Sequence, residues 1–138
     1  MKRPHMTLVY ILLIALLAAL AFVRLSPIDP NIWHSKIAVN EDKNFKGGAV
    51  RVIPAGDDTL AKLDKAMRAL PRTKVVAGSV ADGRITYVTR TQWAGFPDFT
   101  TVEQDGDVVK LYARLRFGRS DFGVNRARLR QVIATVQG

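Results

Sequence analysis

Val108-Val-Lys-Leu-Tyr-Ala-Arg-Leu-Arg-Phe117 is the stretch on which the fold turns. Side chains along a strand point alternately to opposite faces. Val109, Leu111, Ala113, Leu115 and Phe117 therefore share one face, and Lys110, Tyr112, Arg114 and Arg116 share the other. An apolar face must be covered, whereas a lysine and two arginines suit solvent. The expectation is an antiparallel sheet with one covered and one open face.

Four further strand-like runs surround this one: Ala49–Ile53, Thr73–Ala77, Ile85–Trp93 and Phe99–Glu103. Ala81-Asp-Gly83 and Gln104-Asp-Gly-Asp107 have hairpin-turn composition, and Gly95-Phe-Pro-Asp98 makes a bend between two strands. In Ile85–Trp93 the open face would receive Arg90 beside Thr86 and Gln92. Val88 fits that register badly, so the parity there stays open. Leu60, Leu63, Met67 and Leu70 recur at helical spacing after Asp57-Asp58, which offers an N-cap, and Pro71 stops the run. Leu129, Val132, Ile133 and Val136 mark a second helix. The order strand, helix, four strands, helix predicts an α+β domain of about five strands with two helices on one face.

Met6–Val23 is apolar apart from the Thr7 hydroxyl and the Tyr10 phenol. Eighteen helical residues would cover roughly 27 Å, close to a bilayer's hydrocarbon thickness. Lys2 and Arg3 precede it and Arg24 follows. The reading favours a signal anchor, with residues 6–23 in the membrane, over cleavage after Ala19-Leu-Ala21. Basic residues flank both sides, and the export-like order favours an inner-membrane protein with its domain in the periplasm. The chain thus divides into an anchor at 1–24, a spacer at 25–47 and an exported domain at 48–138. Within the spacer, Trp33 is expected to dock onto the domain, where its ring gains from burial.

The net charge is +9. From Leu25 onward the surplus is +6, and residues 108–138 supply all of it, with Lys110 and six arginines against Asp121 alone. An exported domain would rarely meet nucleic acid, so the partners this charge implies are an anionic lipid headgroup, a glycan bearing carboxylates or an acidic protein surface. A plain solvated basic face is the alternative.

Arg114-Leu-Arg-Phe-Gly-Arg-Ser-Asp-Phe-Gly-Val-Asn-Arg-Ala-Arg128 holds the densest arginine cluster. On the open sheet face, Arg90, Arg114 and Arg116 form either an anion-binding patch or a ladder paired with Asp98, Glu103 and Asp121; the reading leans to the ladder. In the loop that follows, Asp121 or Asn125 caps the last helix. Arg126 and Arg128 then sit in its first turn, against the helix dipole. Either Asp121 folds back to compensate them, or an external phosphate or carboxylate is held by Arg119, Arg126 and the helix N-terminus. Internal locking is expected for Arg128 and a partner-facing role for Arg119. The candidate polar cluster is therefore Arg90, Asp98, Arg114, Arg116, Arg119, Ser120, Asp121, Asn125 and Arg128.

Nucleophilic catalysis has little material here. Cysteine is absent, the only histidines are His5 and His34, and Ser120 has no histidine within the domain. No catalytic residue, cofactor or metal site is expected. A hydrolase using Asp98 and Asp121 as its two carboxylates is the alternative to a non-catalytic binding or structural module.

The residues Asp82-Gly83, Arg90, Gly95-Phe-Pro-Asp98, Tyr112, Arg114, Arg116 and Gly118–Arg128 resemble the signature of the bacterial and plastid family called domain of unknown function 1499. Asp29, Pro30, Trp33 and His34 add to the likeness. The resemblance implies a small, often membrane-anchored domain and brings no established chemistry with it.

Overall fold

The computed structural model describes residues 3–137, so Met1, Lys2 and Gly138 lie outside the described residues. Helix α1 runs Pro4–Leu25, begins with a proline at its first position and ends in Arg24-Leu25. Its 22 residues give about 33 Å of length. It is long and apolar enough to cross a membrane, and no residue of its most apolar eighteen-residue window is buried among the described residues. Only near its end, at Val23, does a side chain become buried.

A one-turn helix α2 (Pro30–Trp33) follows, with Asp29 accepting the Asn31 N–H at its start. The sheet is built from β1 (Lys43–Phe45), β2 (Gly48–Pro54), β3 (Thr73–Ser79), β4 (Arg84–Arg90), β5 (Pro97–Asp105) and β6 (Val108–Leu115). Helix α3 (Thr59–Arg68) connects β2 to β3, and α4 (Val124–Gln137) ends the chain. The order across the sheet is β1-β2-β6-β5-β4-β3, antiparallel throughout. The domain is α+β, as expected, with six strands rather than about five. The extra one is β1, a three-residue exposed edge strand too short and polar to show a period.

One sheet face carries the core. Ala49, Ile53, Ile85, Tyr87, Val102, Val109, Leu111 and Ala113 meet Leu60, Leu63 and Met67 of α3 and Leu129 and Val132 of α4. Burying each large apolar side chain contributes about 1.5–3 kcal/mol, so the two helix stripes hold both helices on the sheet. Tyr87 settles the parity of β4: it faces the helices and donates to Asp64 at 2.5 Å, which leaves Thr86 and Arg90 on the opposite face. Asp58 stands at the N-cap of α3 without capping it and pairs instead with Lys62 at 3.4 Å. Strand β4 stops at Arg90 rather than Trp93, because Thr91–Phe96 closes into a turn through the Thr91 N–H to Phe96 and the Gly95 N–H to Thr91.

The opposite sheet face is not open. Residues 26–40, read as a spacer, lie across it as a strap. Trp33 stacks on Phe99 with ring centroids 4.0 Å apart, and His34 Nδ1 lies 2.8 Å from Thr86 Oγ1. Ile37 is buried with both its peptide groups engaged: its N–H donates to Glu103 and its carbonyl accepts from Lys110. The strap has no hydrophobic period because each contact is a single residue or a backbone group meeting a polar side chain.

Candidate functional site

The strap decides the fate of two predicted site residues. Arg114 lies beneath Trp33, donating to the Trp33 carbonyl at 2.5 Å and to Thr101 Oγ1 at 2.8 Å. Its guanidinium also lies 4.7 Å from the Tyr112 ring centroid and 5.5 Å from that of Trp33. Burial pulls its pKa down to about 10, so it remains charged at neutral pH. Arg116 donates to the Ser26 and Pro27 carbonyls. The expected ladder of Arg90, Arg114 and Arg116 with Asp98, Glu103 and Asp121 is therefore corrected. Glu103 pairs with Arg84 at 2.6 Å, and the three arginines bind carbonyl and hydroxyl oxygens instead. Nor do Arg114 and Arg116 form an open anion patch, because the strap occupies the space above them.

On the helix side, Asp98, Asn125 and Arg128 come together. Asn125 is fully buried and donates to Asp98 Oδ2 at 3.3 Å, and Arg128 Nη1 lies 3.5 Å from the same oxygen. Arg128 also donates to the Asn125 side-chain oxygen. Burial raises the Asp98 pKa above the usual carboxylate range, and the charge of Arg128 offsets this only in part. Asp121 caps α4, accepting the Gly123 N–H at 2.9 Å and the Asn125 N–H at 3.0 Å. Internal locking of Arg128 is found, but its partner is Asp98 rather than Asp121. Arg119 and Ser120 are exposed on the loop before α4.

Arg90 belongs to a different place. Its Nη1 donates to the Gly95 carbonyl at 2.9 Å, and Arg72 Nε donates to the Arg90 carbonyl at 2.9 Å. From the last turn of α1, Arg24 reaches the same turn, donating to the Trp93 carbonyl at 2.5 Å and to Ala94 at 3.3 Å. These residues, with Lys74, Thr91 and Gln92, line a cleft of about 370 Å³ on the strap side of the sheet. Trp93 projects beside it, 84% exposed.

The family described as a protein of unknown function, DUF1499, matches residues 23–136. The chain belongs to this family. Among curated proteins no sequence matches it. The DUF1499 match begins at Val23, so it takes in the strap together with the sheet that the strap covers. Within this DUF1499 domain the two ends of the sheet differ in charge. At the α1 end lie Arg24, Lys46, Arg72, Arg116 and Arg119, against the acidic residues Asp29 in the connection that follows α1 and Asp121 before α4. At the far end, the connections 55–58, 80–83 and 106–107 hold Asp57, Asp58, Asp82 and Asp107 and no basic residue, while Asp105 at the end of β5 is paired with Lys110 at 2.8 Å. Large exposed aromatic side chains follow the same division: Trp93, Phe96 and Phe122 all belong to α1-end connections. Sequence reasoning missed Arg72, Lys74 and Trp93 as site residues. The available signal was Arg24: a cation directly after an apolar span marks an interface, and whichever loop bonds to it shares that level.

Proposed function

We propose that this protein is a single-span inner-membrane protein whose periplasmic DUF1499 domain is a non-catalytic module, seated on the membrane surface by a basic, aromatic end that meets an anionic partner there. The observation that carries this reading is the segregation of charge and exposed aromatics along the sheet. Cations and tryptophan at the end that joins an apolar helix match the composition of a membrane–water interface, where anionic headgroups attract Lys and Arg and amphipathic rings sit at headgroup level. The hydrolase reading has less support: the Asp98 and Asp121 carboxylates already hold donors at the start of α4, and the cleft of about 200 Å³ beside Asp121 is lined by Asn44, Lys46 and Ser120 rather than by Asp98.

Trp93 supplies the test. In the full chain with Trp33 replaced by phenylalanine, Trp93 is the one tryptophan left. Reconstituted in bilayers, its emission should shift to the blue and be quenched by lipids brominated near the headgroup, more strongly when the bilayer is anionic. Emission equal to that of a water-exposed indole in every bilayer would reject the seating. Protease digestion of spheroplasts checks the sidedness, since a periplasmic domain is cut from outside.

A further inference from the structure

The cleft formed by Arg24, Arg72, Lys74 and Arg90 is built differently from an ordinary patch of surface cations. Three guanidinium groups are fixed in position, yet what fixes them is neutral. Arg24 is held by the Trp93 and Ala94 carbonyls, Arg72 by the Arg90 carbonyl, and Arg90 by the Gly95 carbonyl. Each of these bonds uses one or two N–H groups and leaves the others of that guanidinium for a second acceptor. No acidic side chain lines the cleft, and none of its four cations is in a salt bridge among the described residues. The positive charge is therefore pre-positioned and uncompensated, which is the arrangement that binds a phosphate with little ordering cost.

The approach of backbone at this point is tight. Gly95 has φ +74°, and a Cβ there would stand 2.9 Å from Arg24 Nε and 3.0 Å from its Cγ. The turn thus closes directly onto the end of α1 and sets the cleft at the level where the apolar span stops. Its volume of about 370 Å³ lies within the roughly 300–1,000 Å³ typical of small-molecule sites. Val88 adds an apolar side chain to its lining, and the exposed Trp93 follows Gln92 of that lining in the chain.

We infer that this cleft binds the phosphate headgroup of an anionic glycerophospholipid from the leaflet that α1 enters. The inference rests on the proposed seating of the basic end and narrows its partner to a lipid. The headgroup phosphate takes the free N–H groups of Arg24, Arg72 and Arg90 and the Lys74 ammonium, and Trp93 lies along the glycerol and upper acyl region.

The test uses the full chain in a neutral detergent, with lipid binding read by native mass spectrometry. Short-chain phosphatidylglycerol is titrated alongside phosphatidylcholine of equal chain length and alongside sodium phosphate. Wild type should hold phosphatidylglycerol at lower concentration than phosphatidylcholine and should not be saturated by phosphate alone. The Arg72→Gln/Lys74→Gln double variant should bind phosphatidylglycerol roughly thirty-fold more weakly, the effect of losing two cations at a membrane surface. Lys62→Gln/Lys65→Gln removes the same charge from α3 and should leave binding unchanged. Lys74→Glu alone, which disturbs none of the carbonyl contacts, should also weaken binding and guards against a folding defect in the double variant. Wild type showing no preference between the two lipids overturns both this inference and the seating reading. A preference that survives Arg72→Gln/Lys74→Gln and Lys74→Glu overturns the cleft alone. Saturation by free phosphate at the same concentration reassigns the site to a soluble anion.

Discussion

Replacing Arg128 by alanine isolates the energetics of the Asp98–Asn125–Arg128 cluster. Both partners of the ion pair are nearly buried, with side chains 12% and 10% exposed. Removing one partner of a buried pair costs about 3–5 kcal/mol. Here the contact is long at 3.5 Å, Asn125 still donates to the carboxyl, and Asp98 can take up a proton. The expected loss at pH 7.5 is therefore about 2 kcal/mol, or roughly 8 °C in Tm at about 4 °C per kcal/mol for a domain of this size. The sign of the pH dependence follows from burial. Asp98 holds its proton more tightly in the fold than in the unfolded chain, so its contribution is most favourable at low pH and declines as pH rises through the folded pKa. Arg128 is a group that lowers that pKa, so its removal raises it further. The gap between wild type and Arg128→Ala should widen from pH 5 to pH 8, as followed by circular dichroism melts of the full chain in detergent. Arg119→Ala, at an exposed position, should stay within about 0.5 kcal/mol of wild type. An Arg128→Ala melt equal to wild type, or a gap that is constant or largest at pH 5, would refute the reasoning.

Two further outcomes test other parts of the fold. Trp33→Ala removes a half-buried ring stacked on Phe99 and should cost about 2–3 kcal/mol, from lost burial and a stacked pair; limited proteolysis should then cut within residues 26–40 before the sheet, and an unchanged melt would mean that the strap contributes nothing. Thr100 Oγ1 is buried with no hydrogen-bond partner among the described residues, so Thr100→Val should raise stability by about 1 kcal/mol in urea unfolding, and a loss of stability would show that the hydroxyl is satisfied after all.

Much of the architecture was legible because the covered face of the sheet is periodic. Val109, Leu111 and Ala113 alternate with polar neighbours, and the stripes Leu60-Leu63-Met67 and Leu129-Val132 have helical spacing, so faces and layers followed directly. The strap escaped because period is the wrong signal for it. Trp33, His34 and Ile37 each meet the sheet once, at unequal intervals, and much of the holding is done by main-chain groups that any residue carries. The arginines misled for a related reason. Charge density implied solvent or carboxylates, but Arg114 and Arg116 satisfy themselves on strap carbonyls, which composition does not reveal. Arg128 is an internal lock, as its place just after the cap implies, but its acid is not the one nearest in sequence: Asp121 caps the helix, whereas Asp98 reaches Arg128 only where β5 meets α4. The cleft at Arg24 needed long-range geometry, since its cations come from four separate elements or turns.

The laying down of residues 26–40 on the sheet fixes the working radius of the molecule. Ser26 to Gly47, if extended, would let the domain travel roughly 70 Å from the end of α1 at about 3.3 Å per residue. Folded as a strap, the same residues give no slack, and Arg24 is bonded directly to the loop it abuts. A domain so tied cannot fish across a compartment for distant targets. On the seating proposed above, a partner would have to be delivered to the level at which α1 ends, and lengthening the chain between Leu25 and Pro27 would be the way to make the domain roam.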